Sequence, residues 1–211
     1  MRGLRLWHRW VGLVIASFLF VSGLTGAVIS WDHELDRWLN PALYVSPAAA
    51  ALPSTLDLAN RAEAAHPGMV VSYLPLSVPA GHALLLSMEP VLAETGTGNP
   101  VEFNQLAVNP ATGEEQGRRL WGKPALTREN LLPFLYKLHY SMHLPDWSGI
   151  EVGVLFMGVI AILWVLDSII ALVISFPSPR AWRKSLAFRW SQGGYRRLFD
   201  LHRSGGVWLW L

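Results

Sequence analysis

The sequence predicts a mainly α membrane protein, in which a bundle of transmembrane helices carries an inserted small α+β domain. Three observations predict this class. Only 15% of the 211 residues are charged and 52% are hydrophobic, whereas an ordinary soluble domain has about 25% charged residues. Two long apolar runs contain one charge between them. Residues 32–149, which separate the two runs, have a mixed composition and are numerous enough for a small domain.

The first run, Val11–Trp31, contains 21 residues and no charge. At about 1.5 Å per residue, a helix of this length spans a hydrocarbon core of about 30 Å, which predicts a transmembrane helix. Basic residues precede the run, so a cleaved secretory signal peptide is the alternative interpretation. Such a peptide usually has an apolar region of only about 7–15 residues and an A-x-A-like cleavage site, and this run has neither feature.

The second run, Val152–Phe176, contains a single charge, Asp167. Pro177 and Pro179 follow it and predict the end of a second transmembrane helix. An acidic side chain is costly within hydrocarbon, so Asp167 is expected to face other helices or a polar cavity. It would there relay protons, hold a ligating histidine or form a hydrogen bond with a neighbouring helix.

Charge placement predicts the orientation of the chain. The segment before the first run holds three Arg and no acid, and residues 177–204 hold seven Arg or Lys against Asp200 alone. Residues 32–149 hold twelve acidic and seven basic residues. Because cytoplasmic loops are enriched in Lys and Arg, we expect the N-terminus and residues 177–204 in the cytoplasm. Residues 32–149 are expected on the outer side of the membrane, which the chain crosses more than once; in a Gram-negative host this side is the periplasm.

These features divide the chain into five expected segments. A third apolar stretch begins around Gly205 and is too short to span a bilayer. We therefore expect that the chain is a fragment or that its last helix has been shortened. The segments are a first transmembrane helix with a cytoplasmic N-terminus (1–40), a periplasmic domain (41–130), a second transmembrane helix preceded by a histidine motif (131–179), a basic cytoplasmic loop (180–200) and the start of a third transmembrane helix (201–211).

The outer segment is predicted to form a helix followed by a small antiparallel sheet. Residues 32–41 are interpreted as the outward end of the first helix, and Ser54 with Asp57 predicts a capped helix that ends near Ala65. The sheet is predicted from three strands and a turn, at 70–78, 82–88, 103–108 and 109–113. No nucleophile elbow, phosphate loop or catalytic carboxylate pair is recognisable, so this segment alone would be a binding or spacer module.

Five of the seven histidines lie at expected membrane edges. They are His8 and His202 at the inner edge and His33, His139 and His143 at the outer edge. His8 and His33 are 25 residues apart, or about 37 Å along a helix, so one ligand cannot bind both. His139 and His143 are four residues apart and would share one face of a helix. The other two histidines lie beside predicted turns and are interpreted as surface residues, His66 and His82.

The histidines favour haem as a cofactor. Imidazoles from facing helices are the usual axial ligands in membrane cytochromes b. The chain has no Cys, which excludes disulfides, thiolate zinc sites, Cys-ligated iron–sulfur clusters and covalent c-type haem. His8 and His202 lie at the same inner depth, and each precedes an arginine, Arg9 or Arg203, that is expected to pair with haem propionates. Histidines at two depths suggest two b-type haems and a path for electrons from the cytoplasm outward.

Other interpretations of the same residues stay open. Interfacial His and Trp side chains also act as amphipathic anchors at the headgroup boundary. His139 and His143 would also form an i, i+4 site for a bare metal ion. Gly23 and Gly26 would let either a neighbouring helix or a flat macrocycle approach closely. The net charge of +2 is too small to indicate nucleic-acid binding.

The two inner-edge motifs share the pattern H-R-x-x-G, at residues 8–12 and 202–206. A parallel internal repeat would relate the first and third helices by an axis along the membrane normal. A fourth helix would then mirror the second and supply an outer histidine as the partner of His139.

The chain resembles the PepSY-associated transmembrane family of bacterial inner-membrane proteins over nearly its whole length. The resemblance rests on LWHRWVGLVIASFLFVSGLTGAVISWDHELDRWLNP for the first helix, LAVNPATGEEQGRRLWG for the end of a PepSY domain, KLHYSMHLP before the second helix and YRRLFDLHRSGGVW at the beginning of the third. It implies a PepSY-like periplasmic domain and, as in family members that reduce ferric siderophores, b-type haems held by histidines of a four-helix bundle. The histidines that match the family motifs are His8, His139 and His202, with His33 and His143 as weaker matches. The family has a further outer segment and a fourth helix, so a ligand from that helix would be missing.

The resulting hypothesis is an inner-membrane haem-b reductase that passes electrons to a periplasmic ferric siderophore and releases Fe(II). Its expected partners are the siderophore, the lipid bilayer and a cytoplasmic or quinol electron donor, since no nicotinamide or flavin motif is visible. The candidate cofactor-binding residues are His8, His33, His139, His143 and His202 for the haem iron, with Arg9 and Arg203. The alternative is a non-enzymatic PepSY module, tethered to the membrane, that binds or restrains a peptidase or another envelope partner.

Overall fold

The computed structural model describes residues 1–48, 52–91, 101–178, 180, 182–191 and 193–209. The chain divides into two compact units. The membrane unit consists of Met1–Val21 with Pro145–Leu211, and the sheet unit consists of Ser22–Leu144.

In the described residues, two helices are long and apolar enough to cross a membrane, α1 (Arg2–Ile29) and α6 (Val152–Ser175). They coincide with the two predicted runs, so both helices are confirmed. Helix α6 ends just before Phe176, as the following prolines predict. Helix α1 ends before the predicted Trp31, because Ser30 and Trp31 form a turn instead.

The buried residues of α6 include Gly153, Ile160 and Asp167, which are spaced seven residues apart. Seven residues are close to two helical turns, so these three residues lie on one face. Phe156 of α6 also contacts Phe18 of α1 edge to face, with 5.2 Å between the ring centroids. Most large apolar side chains elsewhere on α6 are exposed, as expected of a helix whose surroundings are lipid.

The basic segment after α6 contains helix α7 (Trp182–Leu186), and helix α8 (Gly194–Trp208) follows it. The expected loop over 180–200 is therefore partly helical, and α8 begins well before the apolar stretch predicted at its end. The difference arises because the first half of α8 is amphipathic, and its polar residues interrupt the continuous apolar run that predicts a membrane helix.

A buried carboxylate holds the basic segment together. Asp200 of α8 is fully buried and accepts hydrogen bonds from Nε and an Nη of Arg189 at 2.7 and 2.8 Å. It also accepts one from Arg203 at 3.1 Å. Two of the basic side chains in this segment are thus paired with its single acid.

The chain after α1 does not continue as one helix. Helices α2 (Asp32–Leu39) and α3 (Pro41–Tyr44) follow the turn at Ser30 and Trp31. The prediction that residues 32–41 extend the first helix is therefore wrong about continuity, although most of these residues are helical. Pro41 occupies the first turn of α3, where a missing N–H costs little.

The rest of the sheet unit before helix α5 (Leu131–Ser141) is helix α4 (Thr55–Ala65) and a four-stranded antiparallel sheet of order β1-β2-β3-β4. Its strands are β1 (Met69–Tyr73), β2 (Leu84–Pro90), β3 (Gln105–Val108) and β4 (Glu115–Arg119). The predicted cap is confirmed, since the Ser54 side chain accepts a hydrogen bond from the Leu56 N–H. The three predicted strands are confirmed with shifted ends, whereas β4, with the sequence EQGRR, lacks the apolar alternation that predicts a strand.

The core of the sheet unit lies between α4 and one face of the sheet. Leu84, Leu86 and Met88 alternate along β2 and are fully buried. Leu86 lies opposite Leu106 of β3, and both pack against Leu58 of α4. This period-two burial is expected where one face of a sheet is covered, and it confirms the predicted helix with a small antiparallel sheet.

A buried ion pair joins the short helices to β4. An Nη of Arg119 lies 2.7 Å from Oδ2 of Asp36, and the two side chains are only 3% and 2% exposed. The Tyr44 hydroxyl and the Asn40 amide also donate hydrogen bonds to this carboxylate. Burial acts to raise the pKa of Asp36, but hydrogen bonds from Arg119 and Tyr44 outweigh burial and hold the pKa below its ordinary value.

Candidate functional site

The inner cluster consists of His8 on α1, Asp167 on α6 and His202 on α8, all within the membrane unit. Nδ1 of His8 lies 2.9 Å from Oδ2 of Asp167. The imidazole rings of His8 and His202 have centroids 5.9 Å apart, with 36° between their planes. The structure therefore brings together the two histidines that the sequence places at the inner edge.

Asp167 is the most enclosed member of the inner cluster. The residue is 6% exposed, and its buried Oδ1 has no hydrogen-bond partner among the described residues. A Cβ built on Gly12 would lie 3.4 Å from Oδ2, in ordinary van der Waals contact with the carboxylate. Asp167 therefore contacts a neighbouring helix, α1, through the side chain of a candidate ligand, His8.

The two arginines expected at haem propionates have protein partners in the structure. The guanidinium of Arg9 lies 5.2 Å from the ring centroid of Trp10. Arg203 bonds the buried Asp200 at 3.1 Å and lies 5.4 Å from the ring centroid of Phe199. The pairing of both arginines with propionates stays a prediction, and for Arg203 it would compete with an existing ion pair.

His139 lies on helix α5 (Leu131–Ser141) and contacts the end of α1 that belongs to the sheet unit. Its Nδ1 lies 2.8 Å from the carbonyl oxygen of Ser22 and 3.2 Å from the hydroxyl of Thr25. Because a carbonyl oxygen only accepts, Nδ1 is the donor of this hydrogen bond, and Nε2 takes no part in it. The ring lies against Gly26, where a Cβ would be 2.9 Å from Cε1 of His139.

The prediction that His143 shares a helical face with His139 is wrong. Helix α5 ends before His143, and both Met142 and His143 adopt left-handed backbone angles, with φ of 52° and 54°. Nε2 of His143 donates a hydrogen bond to the Phe134 carbonyl at 2.8 Å, and the two rings stack 4.5 Å apart. The alternative interpretation of this pair, an i, i+4 site for a bare metal ion, therefore has no geometric basis.

The predicted outer group of three histidines is not observed. His33 is exposed on α2, and in the described part of the chain no hydrogen bond or ring contact joins it to His139 or His143. The prediction for His33 assumed that the first helix is continuous. The turn at Ser30 and Trp31 separates α2, which carries His33, from α1.

The other two histidines have side-chain partners. Nε2 of His66 lies 3.3 Å from a carboxylate oxygen of Glu115, and the His66 side chain, predicted at the surface, is partly covered, with 18% exposed. The cause is β4, which the sequence does not predict and which carries Glu115. His82 lies at the surface and accepts a hydrogen bond from Arg37 at 3.1 Å.

The partners that orient His139 are not predicted from the sequence. Ser22 and Thr25 belong to the segment S-G-L-T-G at 22–26, in which every residue except Leu24 is small, and small residues permit close approach of helices. The expected close approach is observed at Gly26, which lies against the His139 ring. It is not observed at Gly23, since a Cβ built there would meet no atom within 4 Å.

A family model, the PepSY-associated TM region, matches residues 5–211. The chain belongs to the PepSY-associated transmembrane family. The family match covers both apolar helices and the sheet unit between them, so this member of the PepSY-associated transmembrane family is a membrane protein. No curated protein matches the chain.

Proposed function

We propose that this member of the PepSY-associated transmembrane family is an inner-membrane haem-b reductase, which passes electrons across the membrane to a periplasmic ferric siderophore and releases Fe(II). The observation that carries the proposal is the pairing of the His8 and His202 rings, 5.9 Å apart, within the membrane unit. Imidazoles that converge inside a helix bundle are typical of b-type haem sites.

His8 and His202 would together hold one haem iron, since imidazole is a usual haem ligand and the two rings lie 5.9 Å apart. Haem brings its own macrocycle, so two histidines of the protein would suffice. Among the described residues, no group of three or more acidic or histidine side chains forms a bare metal site. His202 is exposed on α8, and no described atom lies within 4 Å of a Cβ built on Gly205 or Gly206.

We assign His139 to a second haem at the outer edge. The support is its hydrogen bond from Nδ1 to the Ser22 carbonyl, which is a usual orienting bond of metal-bound histidine and leaves Nε2 for the iron. His33 is exposed and His143 uses its Nε2 to bond Phe134, so neither is part of this assignment.

Bound haem would supply one-electron transfer, while the protein holds the ligands, orients them and excludes water. His8 and His202 would hold the inner haem, and His139 the outer one. The donor, a cytoplasmic carrier or a quinol, and the acceptor, a ferric siderophore, are proposed from the family resemblance.

Reduced-minus-oxidised spectra with haem quantified per chain test the proposal. We expect the protein purified from haem-replete membranes to be red, His202→Ala to lose one optical component and His139→Ala to lose the other. His82→Ala is the matched control, because its imidazole lies outside both sites and bonds Arg37. The dithionite-reduced protein should be reoxidised by a ferric siderophore as a chelator detects Fe(II).

Two results would contradict the proposal. Unchanged spectra in both the His139 and the His202 variants would remove these residues as ligands. A colourless wild-type protein would exclude haem and favour the alternative, a membrane-tethered PepSY module that binds or restrains an envelope partner.

A further inference from the structure

We infer that Asp167 is a positioning residue that holds His8 through a carboxylate hydrogen bond and so gives the inner haem a lower reduction potential than the outer haem. The inference rests on the proposed function, because it concerns the partners of the two proposed ligands. Its basis is a difference between the two sites. His8 bonds a buried carboxylate at 2.9 Å, whereas His139 bonds a neutral backbone carbonyl at 2.8 Å.

The contact determines which nitrogen of His8 is available. In the inferred arrangement, Nδ1 of His8 donates its N–H to Oδ2 of Asp167 across the 2.9 Å contact, which would leave the lone pair on Nε2. Metal-bound histidines almost always donate their second N–H in this way, which fixes the ring orientation and raises the basicity of the ligand. A carboxylate raises that basicity more than a carbonyl does, because the charge-assisted hydrogen bond is the stronger one.

Packing alone does not account for an acid at this position. Gly153 and Ile160 occupy the same buried face of α6 as Asp167, and an apolar side chain there would avoid the cost of burying a carboxylate within the membrane. Only one oxygen of Asp167 is bonded, to His8, while Oδ1 is buried without a hydrogen bond in the described residues. The contact with His8 is therefore the interaction that offsets this cost.

The different hydrogen-bond partners of His8 and His139 would give electron transfer between the two haems a direction. A more basic ligand and a buried negative charge both stabilise ferric over ferrous iron, which lowers the reduction potential. The haem at His8 would then be the stronger reductant, and electrons would pass spontaneously from the inner haem to the outer one. This direction is the one that reduction of a periplasmic ferric complex requires.

Redox titration of the haem-loaded protein tests the inference, with the two components assigned through His202→Ala and His139→Ala. We expect the His202-dependent component to have the lower potential in the wild type. In Asp167→Asn it should become about tenfold more reduced at a fixed ambient potential, a shift of about 59 mV for a one-electron couple. Asp167→Glu, which keeps the carboxylate, should restore part of the difference.

Ser168→Ala is the matched control, since Ser168 is the next residue of α6 and is also buried. Equal potentials in Asp167→Asn, Ser168→Ala and the wild type would overturn the inference while leaving the haem assignment intact. So would a wild-type inner component with the higher potential.

A second measurement does not depend on haem. Nitrogen-15 NMR of the histidine-labelled, haem-free protein, with the His8 signal identified by its loss in His8→Gln, should show His8 protonated at Nδ1. Asp167→Leu, which has no acceptor, should lose this fixed form. A His8 protonated at Nε2 in the wild type would overturn the inference, whereas a wild-type protein that never binds haem would instead contradict the proposed function.

Discussion

At the scale of single residues, Gly26 determines how closely His139 approaches α1. A Cβ on Gly26 would lie 2.9 Å from Cε1 and 3.3 Å from Nδ1 of His139, nearer than the optimal contact distance of about 3.5–4.0 Å between carbon atoms. In Gly26→Ala the ring must move and its hydrogen bond to Ser22 is disturbed. We expect the outer haem to bind about tenfold more weakly, measured as loss of the His139-dependent optical component.

Gly23→Ala provides the comparison for this variant. Gly23 lies on the same helix, and a Cβ built there would meet no atom within 4 Å. Both substitutions raise helix propensity by about 1 kcal/mol, so the contact with His139 is the difference between them. Equal haem retention in the two variants would rule out the role given to Gly26.

The residues of the inner cluster are predictable from the sequence in part. His8 and His202 are found from their positions at the ends of apolar runs, and Asp167 from its cost within hydrocarbon. His143 is not predictable in the same way, because a four-residue spacing places two side chains on one face only while the helix continues. Two consecutive left-handed residues other than Gly are uncommon, and no local pattern indicates them here.

At the scale of elements, the ion pair between Asp36 and Arg119 fastens α2 to the sheet. Breaking a buried pair by removing one charge costs about 3–5 kcal/mol, so Asp36→Asn should lower the free energy of unfolding by about that amount. Thermal unfolding of the full chain in detergent measures this loss. Glu34→Gln is the control, because Glu34 is an exposed acid on the same helix, and it should change stability by about 0.5 kcal/mol at most.

The ion pair between Asp36 and Arg119 predicts that the free energy of unfolding depends on pH. The pKa of Asp36 is lower in the folded protein than its ordinary value, which is about 3.9. Its contribution to stability is therefore full above that value and is lost as the pH falls through the lowered pKa. The difference in unfolding free energy between the wild type and Asp36→Asn should be constant near neutral pH and shrink below about pH 4. A difference that grows on acidification would contradict this account.

Elements with a strong local pattern are predicted well, and those fixed by distant contacts are not. The apolar length of α1 and α6, and the cap of α4, are properties of short stretches of sequence. β4 exists because its backbone pairs with β3, and its Arg119 is buried only because Asp36 neutralises it. Neither the pairing with β3 nor the ion pair with Asp36 can be predicted from the five residues of β4 alone.

At the scale of the whole molecule, charge placement predicts the topology, and the absence of Cys makes it measurable. Leu126 in the sheet unit and Trp190 in the basic segment are similarly exposed, at 71% and 72%. A membrane-impermeant maleimide applied to cells with a permeabilised outer membrane should label Leu126→Cys. It should label Trp190→Cys only after the inner membrane is opened. The unsubstituted protein should stay unlabelled, and the opposite pattern would reverse the orientation.

Gly153, Ile160 and Asp167 share one face of α6 because they are spaced seven residues apart. The inner cluster therefore depends on how this helix is rotated about its axis. Each residue turns a helix by about 100°. One alanine inserted between Ile160 and Asp167 would keep α6 apolar and long enough to cross the bilayer, but it would swing the carboxylate by about that angle relative to Gly153. The acid would then point toward lipid rather than His8. A substitution in α6 changes one side chain, whereas an insertion rotates every residue after it about the helix axis. The contact between Asp167 and His8 therefore requires one rotational position of this part of α6.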